Sequence, residues 1–289
     1  MTLSVRCGIR VSFACQPRIR CLAWCSDRSE CRPRARSVMA DPLRVAVLGA
    51  GLQGTTVALE LARRGCLVDL YDRGARPITQ AGLQNEGKLH LGFVYGNDPS
   101  LQTARRLAAG SLRFLPLIRR WAGQDAERIC LSSPFIYAVP DDSLLPATAV
   151  HQHFACVEDC LRSDIHQHAR SDGTIDYPGL NDDASFFPLP DDVRNRFLAP
   201  ERIVTAVMTR EIAVDPASIA AILRRALERS PRIRVVTRSF VKTVALNGDG
   251  YSVIVTPDVT QSHRPYDHVV NALWDGRLRI DRDMGLLPR

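Results

Sequence analysis

Residues 44–73 read RVAVLGAGLQGTTVALELARRGCLVDLYDR, and this stretch decides the fold. Its apolar runs predict a strand at Arg44–Leu48, a helix over residues 51–64 and a second strand over residues 66–71. Gly65 stands where glycine commonly ends a helix. A strand, a glycine turn, a helix and a second strand that ends in an acid are typical of domains that bind the ADP half of a dinucleotide.

The glycine turn has the spacing GxGxxG, with Gly49, Gly51 and Gly54 at the fixed positions. The first glycine allows a tight turn, the second lets the backbone approach a pyrophosphate, and the third lets the helix pack against the strand. The helix start then offers free N–H groups and a partial positive charge to the phosphates. Asp72 follows the second strand, where a carboxylate accepts hydrogen bonds from ribose hydroxyls and repels a 2′-phosphate. The turn therefore predicts a dinucleotide site that disfavours NADP.

The rest of the chain does not continue the simple alternation of strand and helix that is usual in an NAD domain. It leaves this fold after Asp72 and returns only near residue 213. The further elements that we predict are a helix over 98–122, strands over 130–139 and 202–214, a helix over 217–229, a strand over 233–237, a hairpin of 240–246 with 251–256, and a last strand over 268–273. This discontinuous order favours a flavin-binding fold of the glutathione-reductase type, with a β-meander crossover.

The predicted fold class is therefore α/β, with a Rossmann-like FAD-binding domain in two parts, residues 41–129 and 213–285. A less regular, incomplete α+β substrate domain is inserted between them over residues 130–212. Residues 1–40 form an Arg- and Cys-rich extension that we expect to be disordered, with eight Arg against two acids. It is either a transit peptide or, as we prefer, an upstream extension of a protein that starts at Met39.

Composition limits the partners. The extension carries +6 of the net charge of +7, so the folded part is nearly neutral, and we expect no nucleic-acid partner. No run of about 18 apolar residues exists, so we expect no membrane span. The scattered cysteines favour reduced thiols in a cytoplasmic protein. The sequence leaves the oligomeric state open.

Histidines and cysteines at positions 151, 153, 156 and 160 invite a metal-site interpretation, which we do not adopt. A metal needs three or four ligands that converge from ordered elements, and this segment shows no such signature. A surface helix with scattered histidines explains it better. Tyr137 and Arg210, on predicted strands, are candidates for holding a substrate carboxylate, although structural roles explain them as well.

Three segments carry a resemblance to a known family. They are residues 47–73 of the opening stretch, NEGKLHLGFVY at 85–95, and IAVDPASIAAILRRAL at 212–227 together with FVKTV at 240–244 and YDHVVNALW at 266–274. Over about residues 43–285 the chain resembles the D-amino-acid oxidase-like FAD-dependent oxidoreductases, which include glycine and sarcosine oxidases and glycerol-3-phosphate dehydrogenase. The resemblance implies FAD as the cofactor.

The resemblance also implies which residues hold FAD. It places the glycine turn at the pyrophosphate, Asp72 at the adenosine ribose and the backbone of Val241 at the adenine. It places the NEGKLH loop beside the flavin and the turn after the last strand near the cofactor again. The expected cofactor-binding residues are Gly49, Ala50, Gly51, Leu52, Gln53, Gly54, Asp72, Arg73, Asn85, Gly87, Val241, Ala272 and Trp274.

Lys88 and His90 are the candidate catalytic residues of the NEGKLH loop. Backbone N–H groups of a glycine loop and the Lys88 ammonium group stabilise negative charge on reduced flavin at N1 and O2. His90 is suited to orient substrate or to take a proton. On the residues alone another interpretation stays open, in which Lys88 is solvated and His90 is a satisfied, partly buried side chain.

The predicted function is that of an FAD-dependent oxidoreductase. It transfers a hydride to flavin N5 from the amine- or hydroxyl-bearing carbon of a small substrate, which is an amino acid, an amine or a hydroxy acid. One alternative is a truncated, inactive flavin or nucleotide binder, because relatives continue beyond the last strand and this chain ends there. A second alternative is an NAD-dependent dehydrogenase.

Overall fold

The structure is a computed structural model that describes residues 41–171, 175–180, 184–248, 250–257 and 265–286. The extension over residues 1–40 and the start proposed at Met39 lie outside the described residues. The helices are α1 (Leu52–Arg63), α2 (Gln102–Ala122), α3 (Ala147–Ser171), α4 (Asp191–Phe197), α5 (Pro216–Arg229) and α6 (Arg277–Asp283). The strands are β1 (Arg44–Leu48), β2 (Leu67–Tyr71), β3 (Lys88–Leu89), β4 (Leu131–Ser132), β5 (Phe135–Pro140), β6 (Phe186–Pro188), β7 (Ile203–Thr209), β8 (Ile212–Val214), β9 (Ile233–Val236), β10 (Phe240–Asn247), β11 (Gly250–Thr256) and β12 (His268–Asn271).

A parallel sheet with the strand order β12-β1-β2-β9 forms the centre of the molecule. In this sheet β1 pairs with β12 from Val45↔His268 to Leu48↔Asn271. Strands from near both ends of the described chain therefore share one sheet. This arrangement confirms the predicted Rossmann-like α/β class, in which the chain leaves the fold and returns to it.

The central sheet is covered on both faces, as parallel sheets normally are. Side chains of β1 alternate between the faces. Val45 and Val47 belong to the core that contains α1, α2 and α5, whereas Ala46 and Leu48 belong to the core with β10, β11 and α6. All four are at most 2% exposed, so β1 lies in the middle of three layers.

Asp98-Pro99 and Asp215-Pro216 show the same signal in the sequence, a capping acid followed by a proline at the first helical position, and each predicts a helix start. The two helix starts differ in the structure. At α5, Asp215 accepts hydrogen bonds from Ala217 N at 3.1 Å and Ser218 N at 2.9 Å, as predicted. The helix predicted over 98–122 begins only at Gln102. The residue before it, Leu101, has φ +55°, and a left-handed residue interrupts the helical path.

The structure also contains two three-stranded sheets, and the two long strands predicted in this region are each interrupted. The strand predicted over 130–139 splits into β4 and β5 at Ser133-Pro134, where proline offers no N–H. The strand predicted over 202–214 splits into β7 and β8 at Arg210-Glu211. β8 then pairs with β3 and β4, whereas β7 pairs with β5 and β6. The limits of the inserted domain stay a prediction.

The inserted segment also contains α3, which the sequence predicted as a surface helix. The helix is present, but the surface position is wrong for part of it. Phe154, Val157 and Leu161 are at most 2% exposed, and His153 is 8% exposed. Phe154, Val157 and Leu161 recur at three- and four-residue spacing, so they form one face of the helix, and this face packs in the main core.

The predicted hairpin is present as β10 and β11, with the register running from Phe240↔Thr256 to Asn247↔Gly250. Among the described residues after β11, Tyr266 forms an isolated antiparallel bridge with Tyr251. In the described part of the chain, no helix combines the length and the apolar character that crossing a membrane requires.

Candidate functional site

The glycine turn between β1 and α1 is packed as tightly as only glycine permits. Gly49 has φ +93°, and its N–H donates to the Tyr71 carbonyl at 2.8 Å. A Cβ on Gly54 would lie 1.8 Å from the Gly49 carbonyl oxygen, which is inside any possible contact distance. The third glycine therefore lets α1 approach the turn directly, as the sequence predicts.

The start of α1 is open on the side of the second glycine. A Cβ on Gly51 would have no heavy atom of the described chain within 4 Å, and no side chain there caps the helix. The first N–H groups of a helix lack acceptors within the helix, and the helix dipole adds positive charge beside them. The open side, with Leu52 and Gln53 in its first turn, therefore fits an anionic group such as a pyrophosphate.

Asp72 holds the turn from the end of β2. Its Oδ2 accepts a hydrogen bond from Ala50 N at 2.7 Å, and its Oδ1 accepts one from Gly74 N at 2.7 Å. Each carboxylate oxygen has a second lone pair. The half-buried side chain thus fixes the glycine turn and keeps acceptor capacity for ribose hydroxyls. Sequence reasoning finds only the second of these two roles.

The turn after β12 reaches the same place. Ala272 N donates to the Leu48 carbonyl at 2.8 Å, and the Ala272 carbonyl oxygen would lie 2.6 Å from a Cβ on Gly49. Trp274 is 82% exposed and has φ +53°. That left-handed conformation costs about 1–2 kcal/mol in a residue that has a Cβ. A strained, exposed aromatic residue beside a nucleotide cradle is a functional candidate.

The start of β10 approaches the cradle from the Asp72 side. Ser239 N donates to the Asp72 carbonyl at 2.8 Å, and Val241, two residues further on, is 3% exposed. At the outer rim, Arg73 Nη2 lies 3.7 Å from Asp275 Oδ2, with both side chains largely exposed. The cradle therefore brings together the sequence-predicted residues of the glycine turn, Asp72 and the turn after β12, whereas Val241 has a buried side chain and its contact with a cofactor stays a prediction.

The NEGKLH loop is shaped by its own polar contacts. The Asn85 side-chain amide donates to the carbonyls of Ala81 at 3.0 Å and Gly82 at 3.1 Å, and its oxygen accepts from Gly87 N at 2.8 Å. Gly87 has φ +66°, and a Cβ there would lie 1.9 Å from the Val214 carbonyl oxygen. Both residues have a structural role in the loop, and their contact with a cofactor stays a prediction.

Lys88 is the first residue of β3, and His90 directly follows its last residue. Because the two residues are two positions apart in an extended segment, their side chains lie on the same side of it. Lys88 Nζ lies 3.2 Å from Glu86 Oε2 and 5.5 Å from the centre of the Phe135 ring. The Lys88 side chain is 35% exposed. Lys88 is therefore a partly shielded cation with one carboxylate neighbour rather than a fully solvated one.

His90 is not the satisfied side chain of the alternative interpretation. Its Nδ1 is buried and has no hydrogen-bond partner in the described part of the chain. Glu211 Oε2 lies 3.7 Å from it. Glu211 is 1% exposed and accepts hydrogen bonds from Leu91 N at 2.6 Å and from the Tyr137 hydroxyl. Burial first, and then the nearby Glu211 charge, raise the pKa of Tyr137, so this hydroxyl stays a donor.

Sequence reasoning does not find Glu211. Its one signal is an acid inside the strand predicted over residues 202–214, in the segment TREIAV at 209–214, where that strand splits. Tyr137 was a candidate for a substrate carboxylate, and in the structure its hydroxyl binds Glu211 instead. Arg210 donates to the carbonyls of Ala184 at 2.9 Å and Gly179 at 3.1 Å, which is a structural role.

No three His, Cys, Asp or Glu side chains converge into a metal-binding group anywhere in the ranges that the structure describes. His153, in the segment that invites a metal interpretation, is buried with Nε2 3.4 Å from the Gly92 carbonyl oxygen. It belongs to the contact between α3 and the chain that follows β3.

A family model described as FAD dependent oxidoreductase matches residues 44–282 of the chain. The chain belongs to this family. FAD is the cofactor of the family, and the cradle fits its ADP portion, because the turn leaves open space at Gly51 beside uncapped helix N–H groups. The glycine turn would hold the pyrophosphate, and Asp72 the ribose.

Solved structures of several oxidoreductases have a similar fold. Glycine oxidase from Geobacillus kaustophilus matches with a TM-score of 0.58 and 18% identity, over 85% of this chain and 59% of that protein. L-proline dehydrogenase from P. horikoshii matches with a TM-score of 0.56 and 12% identity, over 86% and 57%. Iminodiacetate oxidase from Chelativorans sp. BNC1 matches with a TM-score of 0.54 and 19% identity, over 82% and 57%. The chain thus spans less than two thirds of each of these proteins. Among curated proteins, no sequence matches significantly.

Proposed function

We propose that the chain acts as an FAD-dependent oxidoreductase on the carbon that bears the amine or hydroxyl group of a small substrate. The observation that carries the proposal is the open glycine cradle at Gly51, followed along the chain by a loop that presents Lys88 and His90. Bound FAD would supply the acceptor for a hydride at N5. The protein would supply binding, orientation and charge complementarity.

The cradle residues have a binding role in this proposal. The N–H groups at the start of α1 would face the pyrophosphate, and the Asp72 carboxylate would accept hydrogen bonds from the ribose. Asp72 also repels a 2′-phosphate, which favours FAD over NADP. The family membership of the chain and its discontinuous sheet support FAD over NAD.

The NEGKLH loop has the chemical role. Oxidation of an amine or alcohol removes a hydride from carbon and a proton from nitrogen or oxygen, so the site needs a base for that proton. His90 is the side chain that we propose for this role, and this side chain is 22% exposed. The Lys88 ammonium group would balance the negative charge that reduction leaves on the flavin.

The substrate class that we propose is a small amino acid, amine or hydroxy acid. Its support is that similar folds are found in a glycine oxidase, an L-proline dehydrogenase and an iminodiacetate oxidase. We further propose a reducing compartment such as the cytoplasm, because Cys66, Cys130, Cys156 and Cys160 are free thiols.

The test begins with purified protein that is mixed with FAD and freed of excess cofactor. We expect a yellow protein whose flavin absorbance is bleached without oxygen by at least one amine, amino acid or hydroxy acid of a panel. His90→Gln should slow bleaching by about 10²–10⁴-fold, the usual contribution of a general base, while FAD stays bound. His166→Gln, at an exposed histidine of α3, is the matched control and should bleach normally.

Three results would contradict the proposal in different ways. Protein that takes up no FAD would refute the cofactor, and NADH binding tighter than FAD binding would favour the dehydrogenase alternative. Protein that binds FAD but is bleached by no substrate would favour the alternative of an inactive flavin binder.

A further inference from the structure

Glu211, a buried acid between β7 and β8, lies opposite His90 where the two three-stranded sheets meet. β3 pairs with β8 antiparallel, with Lys88 opposite Ala213 and Leu89 opposite Ile212. Because antiparallel register advances one residue on each strand, the next pair beyond the ladder is His90 and Glu211. The backbone therefore brings these two side chains together, and their juxtaposition does not depend on a flexible surface loop.

Glu211 is held in one orientation. Its side chain is 1% exposed, and a buried carboxylate is tolerated only when donors satisfy it. Leu91 N donates to Oε1 at 2.6 Å, and the Tyr137 hydroxyl donates to Oε2. Packing holds Tyr137 in turn, since its ring stacks edge-to-face on Phe154 with the centroids 5.6 Å apart. Two donors thus fix the acid, and Oε2 keeps acceptor capacity on the side of His90.

His90 is placed so that one ring nitrogen faces Glu211. Its Nδ1 is buried and has no hydrogen-bond partner within the described residues, and Glu211 Oε2 lies 3.7 Å from it. The His90 side chain is 22% exposed, and Nδ1 is not part of that exposed surface. Its backbone is also held, because Ser111 Oγ donates to the His90 carbonyl at 2.7 Å. A neutral imidazole carries one proton, and the partner of Nδ1 decides which nitrogen carries it.

We propose that Glu211, itself positioned by Tyr137, is a positioning residue for His90. The carboxylate charge, 3.7 Å from Nδ1, favours the tautomer that carries its proton on Nδ1, and the Nε2 lone pair is then free to take a proton. This inference rests on the proposed function, in which His90 takes the substrate proton, and it adds the residues that prepare His90 for that step. Glu211 and Tyr137 touch neither substrate nor flavin in this arrangement.

The direct test measures the His90 tautomer by ¹⁵N NMR in the full chain, with His90→Gln to assign the signal. In the unchanged protein we expect the neutral ring to carry its proton on Nδ1. In Glu211→Gln the amide NH₂ faces the ring, so Nδ1 becomes an acceptor and the proton moves to Nε2. In Tyr137→Phe the carboxylate remains, so the Nδ1–H form persists with faster exchange of that proton with solvent.

A second readout is flavin reduction by the best substrate. Glu211→Gln should lower kcat by about 10²–10⁴-fold, as for loss of the base itself, with KM changed by less than about two-fold, because Glu211 does not bind substrate. Glu158→Gln is the matched control. Glu158 is also a buried acid, and it accepts a hydrogen bond from Ser185 N at 3.0 Å. It should lower stability and leave the His90 tautomer and kcat unchanged.

The outcomes separate this inference from the proposed function. An Nε2–H tautomer in the unchanged protein overturns the inference, even if Glu211→Gln fails to fold. Equal behaviour of Glu211→Gln and Glu158→Gln also overturns it. The tautomer is measured without substrate. If the protein binds no FAD, the proposed function is refuted, and the NMR measurement still shows which nitrogen of His90 carries the proton.

Discussion

Two glycines of the same turn should respond to alanine in opposite ways, because one faces protein and the other faces open space. In Gly54→Ala the new Cβ meets the Gly49 carbonyl oxygen at 1.8 Å, which is far inside the 3.0 Å below which Cβ contacts essentially do not occur. In Gly51→Ala the new Cβ meets no atom of the described chain within 4 Å, and the φ of −66° suits alanine. Gly54→Ala therefore tests the fold, and Gly51→Ala tests the cofactor site.

The geometry sets the magnitudes. The carbonyl that Gly54→Ala strikes belongs to the backbone and cannot rotate away, so we expect a cost near the upper end of overpacking, about 3 kcal/mol. At about 2–4 °C per kcal/mol, Tm should fall by about 6–12 °C. Gly51→Ala should change the free energy of unfolding by about 1 kcal/mol or less, since alanine is only a poorer helix cap than glycine. If it displaces one N–H contact to the pyrophosphate, worth about 1.5–3 kcal/mol, FAD should bind about 10- to 150-fold more weakly.

The assays are thermal unfolding without FAD and titration with FAD. Gly110→Ala is the control, because Gly110 lies inside α2 with nothing within 4 Å of its Cβ position. It should gain about 0.5–1 kcal/mol and bind FAD normally. Unchanged FAD affinity in Gly51→Ala would refute the placement of the pyrophosphate. Unchanged stability in Gly54→Ala would refute the close approach of α1 to the turn.

Three further predictions concern stability. Asp215→Ala removes the cap of α5 and should cost about 1 kcal/mol, seen as a Tm lower by about 2–4 °C; an unchanged Tm would contradict the capping role. In Gly87→Ala the new Cβ would lie 1.9 Å from the Val214 carbonyl oxygen, and alanine would have to adopt a left-handed φ. The free energy of unfolding, measured with denaturant, should fall by at least about 2 kcal/mol. An unchanged value would show that the loop does not pack against β8. The hydrogen bond from Arg63 lowers the pKa of Glu60 from 4.5 to about 2, so its stabilisation should be complete above about pH 4.5 and lost as the pH falls toward 2. Urea unfolding of Glu60→Gln should therefore differ from the unchanged protein at neutral pH and converge with it near pH 2, and a constant difference would contradict this origin.

Local signals in the sequence predicted the cradle well. GxGxxG and the following acid are local features, because a turn, a helix start and a strand end need only neighbouring residues. The same holds for the cap at Asp215 and for the β10–β11 hairpin. The cap signal at Asp98, with Pro99 as the first helical residue, placed the start of α2 three residues early, because Leu101 adopts a left-handed conformation that no local sequence pattern indicates.

The sequence by itself determined the class of the protein, an α/β dinucleotide-binding fold, and the residues of the glycine turn that we propose for the pyrophosphate. Only the tertiary structure placed Glu211 opposite His90, more than one hundred residues apart in the chain, and showed that Asp72, our proposed ribose acceptor, also supports the glycine turn. The physical reason is that hydrophobic periodicity reports which side of an element is buried, whereas the partner of a buried polar group is set by strand register between distant segments. A buried acid inside an apolar strand pattern indicates that such a partner exists, and the fold alone decides which residue it is.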